Sequence, residues 1–343
     1  MRLRPNPAWH RPLVAFSAAM TVMAAVSAVG LIVDERMLAG SPIWFKPFKF
    51  SVSFVAYGLS LAWMQSLLTR GRRTAWWAGT VVLVASLVEM AIIVGQVIRG
   101  KRSHFNVETP FDQTLFSIMG GTVVVLWLST LVIALLTFRD RLPDRATAWA
   151  VRFGSVIALA GAAIGFLMTR PTQEQLEADR TGVAKVVGAH SVGVPDGGPS
   201  MPLTGWSTTG GDLRIPHFVG MHALQVLPLL LLALIALAPR FPRLRDDHAR
   251  LRLVLVASGA YAAVFGLVTW QALRGQGLIH PDGPTLGAGA LIVIGTAVAA
   301  GLALRTSPAP VSADAALPCA APIPRTPGSE CSAHRAHSLK ETA

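Results

Sequence analysis

The sequence carries little charge for its length. Of its 343 residues, 14% are Asp, Glu, Lys or Arg and 52% are hydrophobic, whereas soluble domains contain about 25% charged residues. Low charge combined with long apolar runs excludes an ordinary soluble domain and indicates a chain that crosses a membrane several times. The lipid bilayer is therefore the first expected partner.

Cysteine is scarce, and the familiar catalytic signatures are missing. Cys319 and Cys331 are the only cysteines, and their spacing fits neither a CxxC redox motif nor a common zinc pattern. The chain contains no P-loop, dinucleotide fingerprint, nucleophile elbow or zinc-protease motif. No catalytic residue can be assigned from the sequence, and whether the protein is an enzyme stays open.

The positive charge of the chain does not indicate nucleic acid as a partner. The formal net charge is +12, but the basic residues occur in short clusters between apolar runs. Clusters of this kind are the usual signal that orients a membrane protein in the bilayer. We therefore expect no nucleic-acid partner.

Apolar runs of about 20 residues predict transmembrane helices, because a helix satisfies the backbone hydrogen bonds that lipid cannot. The first run is too long for a signal peptide, whose apolar core has about 7–15 residues. The expected fold is an all-α polytopic membrane protein with eight transmembrane helices. Numbered as spans one to eight, the runs are Leu13–Val33, Phe48–Leu68, Trp77–Ile98, Thr114–Phe138, Trp149–Met168, Phe218–Ala238, Leu253–Leu273 and Thr285–Leu304.

The distribution of Lys and Arg predicts that both termini lie in the cytoplasm. Without the C-terminal tail, the connections on the side of the N-terminus hold 14 Lys and Arg residues, and those on the other side hold 11. Basic connections tend to stay in the cytoplasm. The connections after spans one, three, five and seven are therefore expected outside a cell membrane, either a plasma membrane or a bacterial inner membrane.

A short repeated motif raises the hypothesis of two four-helix halves. Gln96-Val97-Ile98-Arg99-Gly100 ends span three, Gln271-Ala272-Leu273-Arg274-Gly275 ends span seven, and a histidine follows each motif. A chance match in an apolar background explains the likeness equally well. The expected organisation is a cytoplasmic N-terminus at 1–12, halves at 13–138 and 139–304, a long outer loop at 169–216, and a disordered cytoplasmic tail at 305–343.

Four histidines near the expected outer ends of the helices are the candidate cofactor ligands. His104 follows span three, His217 and His222 open span six, and His280 follows span seven. A histidine within a membrane is a functional candidate by default, and His217 and His222 are the first candidates to bind a metal ion. The sequence leaves the cofactor open, with heme or a metal ion as the candidates, because HxxxH and HExxH spacings are missing. Hydrogen bonding to a neighbouring helix is the alternative explanation.

Glu89 is the least expected residue in a membrane span. It lies nine residues before the end of span three, near the middle of the bilayer, where an acidic group costs about 2.5–3.5 kcal/mol. We therefore expect Glu89 to face other helices and either to have a partner, for which Tyr57 of span two is the candidate, or to carry a proton. The polar residues expected to line a proton path or cavity with it are Gln96, Arg99, Lys49, Tyr57, Gln225, Gln271 and Arg274.

The connections at the same end carry further polar residues that are expected to border the site. These residues are Asn106, Asp112, Asp212 and Arg214. Asp112 has a simpler explanation as the N-terminal cap of span four. His104 is expected to approach His217 or His222, directly or through a ligand that bridges them.

The plan of eight spans in two four-helix halves, with histidines on the outer side, is similar to that of heme A synthases. The resemblance is one of topology. That family carries histidines in matching spans of both halves, whereas span two has Lys49 where span six has His222. No residue role is therefore taken from that family.

Three functions remain open from the sequence. The first is an outer-facing polar site, centred on the histidines, that binds heme, a metal ion or a quinone for redox or proton chemistry. The second is a transporter or sensor for a small molecule or ion, with a central polar cavity. The third is a structural membrane protein whose polar groups only hold helices together. Spans two, three, six and seven, which carry the polar residues, are expected to form the inner group.

Overall fold

The computed structural model describes residues 9–38, 40–182 and 185–305, and this part of the chain is mostly helical. Eight long helices correspond to the eight predicted spans, and the short helix α6 lies in the long connection between spans five and six. The expectations for residues 1–8 and 306–343, including the predicted tail, lie outside the described residues. The helices are α1 (Arg11–Val33), α2 (Phe45–Ser66), α3 (Arg72–Ile98), α4 (Pro110–Arg139), α5 (Arg145–Met168), α6 (Gln173–Arg180), α7 (Arg214–Leu237), α8 (Asp247–Leu273) and α9 (Gly283–Arg305).

Strand structure in the described residues is confined to two short antiparallel pairs. Strands β1 (Met37–Leu38) and β2 (Ser41–Pro42) pair in the connection between α1 and α2. Strands β3 (Ser191–Val192) and β4 (Gly211–Asp212) pair in the connection between α5 and α7. Both pairs therefore stabilise helix connections and add no sheet layer to the fold.

Seven of the described helices are long and apolar enough to cross a membrane, namely α1, α3, α4, α5, α7, α8 and α9. Helix α2 has a comparable length of 22 residues. Its sequence is less apolar, because Lys46 and Lys49 lie in its first two turns. The expected all-α polytopic membrane protein is confirmed, and the apolar helices indicate association with a lipid bilayer.

The helices pack mainly against their neighbours along the chain, and α5 and α7 form the closest pair. A Cβ atom built on Gly161 of α5 would lie only 2.5 Å from the Cα atom of Gly220 on α7. A second close approach joins Gly154 of α5 to the backbone of Ala223 on α7. Small residues allow two helix backbones to approach, which favours helix association in lipid.

The prediction that spans two, three, six and seven form the inner group was wrong for span seven. Span five, now α5, buries 12 of its 24 residues, whereas span seven, now α8, buries six of 27. The reason is steric, because the Ala- and Gly-rich sequence of α5 lets α7 approach it closely. The polar residues that favoured span seven, Gln271 and Arg274, belong to the turn at its end. Apolar residues of α8 are left facing outward, as expected for contact with lipid.

Three long connections meet at one end of the helices, which we call the histidine end. The backbone N–H of Val107 bonds to the carbonyl of Lys185 (3.1 Å), which joins the α3–α4 connection to the α5–α7 connection. Nδ1 of His280 lies 3.0 Å from the carbonyl oxygen of Thr208, which adds the α8–α9 connection. The β1–β2 hairpin lies at the same end, close to Gly205. The long connection therefore covers the ends of several helices.

The repeated motif of spans three and seven forms two similar helix-ending turns. Nε2 of Gln96 donates to the carbonyl of Arg102 (3.1 Å), and Nε2 of Gln271 donates to the carbonyl of Gly277 (3.0 Å), six residues on in both cases. The glycine after each arginine has a positive φ, 68° at Gly100 and 72° at Gly275. Glycine adopts this left-handed conformation without the strain that a side chain adds.

Each arginine of the repeated motif then pairs with an aspartate near the start of the following helix. Nη1 of Arg99 lies 2.7 Å from Oδ1 of Asp112, and Arg274 pairs with Asp282. The hydrogen bond from Arg274, followed by those from Thr285, holds the pKa of Asp282 below its ordinary value. The motif thus ends one helix and links it to the next through an ion pair. The division of the chain into two halves stays a prediction.

The opposite end of the helices is held by Asp140. Its carboxylate accepts hydrogen bonds from the backbone N–H groups of Thr69 and Arg70, which start the turn between α2 and α3. Burial opposes the charge, but these bonds together with those from the Thr69 hydroxyl and Arg141 lower the pKa of Asp140 to about 2. A charged Asp140 therefore fixes the turn against the end of α4 at neutral pH.

Candidate functional site

His190 and Asp196, both in the long connection, form a hydrogen-bonded pair. Nδ1 of His190 lies 3.0 Å from Oδ2 of Asp196, and the same carboxylate accepts the backbone N–H groups of His190 and Ser191. Burial opposes the charge, but these hydrogen bonds hold the pKa of Asp196 below its ordinary value. A carboxylate only accepts, so Nδ1 of neutral His190 carries the ring proton. Nε2 keeps a lone pair and has no hydrogen-bond partner among the described residues.

His217, in the first turn of α7, is anchored to α5 in the same manner. Its Nδ1 lies 2.8 Å from the carbonyl oxygen of Gly161. This oxygen can only accept, so Nδ1 carries the ring proton and Nε2 keeps a lone pair, without a partner in the described chain. Glycines make the approach possible, since a Cβ atom built on Gly165 would lie 3.3 Å from Cε1 of His217.

His104 lies in the connection between α3 and α4, next to aromatic rings. Its ring centroid is 5.7 Å from that of Phe50 and 6.2 Å from that of Phe105. Nδ1 of His104 is 3.2 Å from Oγ of Ser103. Burial, with smaller contributions from neighbouring cationic and imidazole groups, lowers the pKa of His104 well below its ordinary value. His104 is therefore neutral at pH 7.

These three histidines lie within range of charge interaction with one another and with Lys46. The charged form of His104 would be repelled by Lys46, His190 and His217, and that of His190 by Lys46. We call His104, His190, His217 and Lys46 the histidine cluster. Burial is the main cause that lowers the pKa of His190. The cluster thus combines neutral imidazoles with a cationic side chain of α2.

Phe105 connects two members of the cluster. Its ring centroid lies 4.9 Å from that of His190, and it is also adjacent to His104 along the chain. The backbone of Phe105 has φ of +61°, which a residue with a bulky side chain rarely adopts. Such strain persists where the surrounding structure enforces it, often at functional sites. Here it places an aromatic ring beside two imidazoles.

Two other cations at the histidine end are held by the protein itself. Nη2 of Arg214 lies 2.6 Å from Oδ2 of the buried Asp212 and 2.6 Å from the carbonyl oxygen of Gly205. Nζ of Lys49 donates to the carbonyl of Thr204 (3.2 Å) and lies 4.2 Å from the ring centroid of Phe45. The predicted residues Asp212, Arg214 and Lys49 therefore position the long connection over α2 and α7.

Glu89 lies deeper, between α3 and α4. It is 1% exposed, and the hydroxyl of Thr122 donates to its Oε1. Its Oε2 is buried without a hydrogen-bond partner among the described residues. Glu89 also has an attractive charge interaction with Lys46, so it is linked electrostatically to the histidine cluster.

His222 connects α7 to α2 at a position deeper than His217. Its Nδ1 lies 3.3 Å from Oε1 of Gln225, and Nε2 of Gln225 donates to Oγ of Ser60 on α2 (3.1 Å). His217 is thus bonded to α5, whereas His222 is bonded within α7 to Gln225. The two histidines of α7 do not share a partner, although both were predicted as metal ligands.

Two predicted hydrogen-bonding roles were wrong. Tyr57 bonds to Thr130 of α4 and not to Glu89, because α4 presents two threonines, Thr122 and Thr130, that each take one of these partners. Asp112 is not the N-cap of α4. The cap lies three residues earlier at Thr109, whose Oγ1 accepts the N–H of Asp112 (3.1 Å).

Proline explains the position of this N-cap. Residue 110 is proline, which favours the first position of a helix because its φ is already helical and its missing N–H is not needed there. Asp112 remains in the first turn, where it binds Gln96 (2.9 Å) and Arg99 (2.7 Å). Its role is therefore to join the end of α3 to the start of α4.

Other predicted site residues are bonded within the connections at the histidine end or between them. Asn106 donates to the carbonyl of Arg102 (3.1 Å) and accepts the N–H of Glu108 (3.1 Å). His280 is exposed and bonds to the carbonyl of Thr208. The predicted residues whose side chains stabilise the connections are Gln96, Arg99, Asn106, Asp112, Gln271, Arg274 and His280.

Three residues of the site were not predicted, namely Lys46, His190 and Asp196. The usable signal for the last two was their spacing within a Gly-rich loop, because Gly193 and Gly197 both adopt positive φ and let the chain turn back. Lys46 gave no signal, since a lysine at a helix start normally extends to the membrane surface. Its position follows from the packing of the connections around α2.

The described residues include no group of three or more His, Cys, Asp or Glu side chains arranged to hold a metal ion. Comparisons with protein-family models, curated proteins and solved structures find no match for the chain. The geometry of the histidine end is therefore the guide to function.

Proposed function

We propose that the histidine end binds a small molecule with an acidic hydroxyl group, of the quinone–quinol class, and takes a proton from it. One observation carries this proposal. Three imidazoles are each bonded through Nδ1, lack a described partner at Nε2, and lie within charge-interaction range of one another. Polar groups that converge without a protein partner are the usual mark of a ligand site.

The tautomers of His190 and His217 favour the hydroxyl form of the ligand. Their Nδ1 protons are bound by Asp196 and by the carbonyl of Gly161, so each Nε2 presents a lone pair. A quinol hydroxyl donates to this lone pair. On proton transfer the O–H bond breaks, an N–H bond forms at Nε2, and the electron pair stays on the ligand oxygen. Asp196 then stabilises the imidazolium of His190.

Aromatic side chains beside the histidines fit a ring-shaped ligand. Phe50 lies edge-on to His104, and Phe105 lies edge-on to both His104 and His190. Aromatic rings favour such offset or edge contacts with another ring. These contacts supply apolar area for the body of a quinol, while the imidazoles bind its hydroxyl groups.

We place the histidine end on the outer side of the cell membrane and both termini in the cytoplasm. The support is the excess of Lys and Arg at the opposite end, 14 against 11. In this orientation a quinol that diffuses in the bilayer would meet the cluster near the outer surface.

The test uses the purified full-length protein in detergent and 1,4-naphthalenediol under argon. We expect saturable binding, and we expect the bound ligand to show the absorption of its ionised form at a pH where the free ligand is neutral. His190→Asn and His217→Asn should each weaken binding about tenfold, the equivalent of losing one good hydrogen bond. Both variants should also reduce the absorption of the ionised form.

His280→Asn is the matched control, because His280 lies at the same end but is exposed on the α8–α9 turn. Its binding curve should equal that of the unmodified protein. Absence of binding, or equal losses in the His280 and His190 variants, would contradict the proposal.

Heme binding is the second candidate, and one feature favours it. Histidines that ligate a metal commonly donate the other ring N–H to a carboxylate or carbonyl, as His190 and His217 do. The Lys46 ammonium opposes a metal cation, since it interacts with His104 and His190. A Soret absorption band in the purified protein that is lost in His217→Asn would favour heme over a quinol.

A further inference from the structure

Lys46 is a basic side chain at the histidine end that no described carboxylate pairs with directly, although the more distant Glu89 attracts its charged form. It lies in the first turn of α2, is half-buried, and its Nζ is 6.0 Å from the ring centroid of Phe50. No hydrogen bond or ion pair joins it to another described residue. Lys49 and Arg214, by contrast, both donate to oxygen atoms of the protein. Lys46 therefore keeps its hydrogen-bonding capacity for a group outside the protein.

The charges around Lys46 are mainly positive. Its charge interactions are with Lys49, Arg102 and Arg214, which repel it, and with Glu89, which attracts it. The charge of Arg214 is already matched by Asp212 at 2.6 Å. Glu89 is buried between α3 and α4, where its described hydrogen-bond partner is Thr122. A half-buried ammonium among other cations is unfavourable unless an anion joins it.

The position of Lys46 relative to the histidines indicates where that anion forms. Lys46 and His104 both lie next to the ring of Phe50, and the ring of Phe105 lies next to both His104 and His190. A hydroxyl ligand that gives its proton to Nε2 of His190 retains an electron pair on oxygen. Lys46 then faces a negative charge that did not exist before proton transfer.

We propose that Lys46 is the counter-charge for an aromatic oxygen anion, so that the site binds the ionised form of its ligand more tightly than a neutral analogue. The proposal rests on the proposed function and adds the charge state of the ligand to it. Attraction between opposite charges is strong where water is partly excluded, as it is around Lys46. Phe50, next to both Lys46 and His104, supplies contact for the aromatic body.

The experiment compares two probes that share a ring system but differ in charge. 2-Hydroxy-1,4-naphthoquinone is an anion at neutral pH, and 2-methyl-1,4-naphthoquinone is neutral. We expect the full-length protein to bind the anion about tenfold more tightly than the neutral probe. In Lys46→Gln this preference should disappear through weaker binding of the anion, with the neutral probe unchanged. Lys46→Arg should retain the preference, because it retains the charge.

Lys101→Gln is the matched control, since Lys101 lies at the same end but pairs with Glu108 at 2.7 Å. It should leave both affinities unchanged. A Lys46→Gln variant that keeps the preference, or that weakens both probes equally, overturns the role of Lys46 while leaving the proposed function standing. Competition by millimolar inorganic phosphate would also overturn it, since the site would then accept any anion. If no probe, including 1,4-naphthalenediol, binds the unmodified protein, the proposed function itself fails.

Discussion

Thr122 of α4 donates a hydrogen bond to Oε1 of Glu89 on α3, while Oε2 of the same carboxyl group is buried without a described partner. An acidic side chain that only joined two helices would gain from bonding both oxygens. A half-bonded, buried carboxyl group reduces stability, and such groups are retained where they have a function. The pairing thus supports a role for Glu89 in accepting or passing a proton.

Replacement of Glu89 should affect protein stability and proton exchange differently. Glu89→Leu removes a buried polar oxygen that has no described partner. We therefore expect the free energy of unfolding in detergent to be unchanged or higher, by up to about 1–3 kcal/mol. Proton exchange linked to ligand binding, followed with a pH-indicator dye, should be lost. Thr122→Val, which leaves Oε1 unpaired as well, is the comparison and should be less stable. A Glu89→Leu protein that is strongly destabilised yet exchanges protons normally would show that Glu89 is structural.

Acid should destabilise the protein partly through His104. Because the pKa of His104 is lowered well below its ordinary value in the folded chain, the unfolded chain binds a proton below about pH 6.5 that the folded chain does not. Stability from this group is therefore complete above that pH and falls as the pH decreases, by up to about 1.4 kcal/mol per pH unit. Thermal unfolding of His104→Gln between pH 7 and 5 should show a smaller loss. The exposed His280→Gln variant should behave like the unmodified protein, and an unchanged slope in His104→Gln would refute the assignment.

The close crossing of α5 and α7 should not tolerate a larger residue at position 161. Gly161→Ala places a methyl group 2.5 Å from the Cα atom of Gly220, and overpacking of this kind costs about 1–3 kcal/mol. Separation of the helices should also lengthen the bond from His217 to the carbonyl of residue 161, so ligand binding should weaken. Gly120→Ala is the control, because nothing lies within 4 Å of its added Cβ. Equal stability of the two variants would argue against the close crossing.

The orientation in the membrane can be tested with single cysteines at exposed sites. Ser103 and Ser207 lie on the expected outer side but are only 4% and 8% exposed, so Glu174 of α6 is the better outer position. In a chain with Cys319→Ser and Cys331→Ser, Glu174→Cys should react with an impermeant thiol reagent in intact cells. Asp247→Cys, at the start of α8, should react only after the cells are opened. The reverse pattern would invert the proposed topology.

Much of the fold was determined by the sequence itself. All eight long helices were predicted from apolar runs, because lipid requires a continuous apolar helix of about 20 residues, and seven of them are apolar enough to cross a membrane. The helix-ending role of Gly100 and Gly275 was not predicted, although both motifs were recognised. The two turns also depend on hydrogen bonds from Gln96 and Gln271 to residues six positions later, which sequence spacing alone does not reveal.

The grouping of the polar residues was decided by tertiary structure. His104 and His217 were both expected at one end, and their proximity to His190 and Lys46 depends on how the long connection folds over α2 and α7. The close approach of α5 and α7 brings the carbonyl of Gly161 to Nδ1 of His217, and this contact leaves Nε2 of His217 without a described partner. Sequence places each residue along a helix and at a depth in the membrane, because both follow from local periodicity. Which side chains meet depends on helix packing, and packing depends on close contacts between residues far apart in the chain.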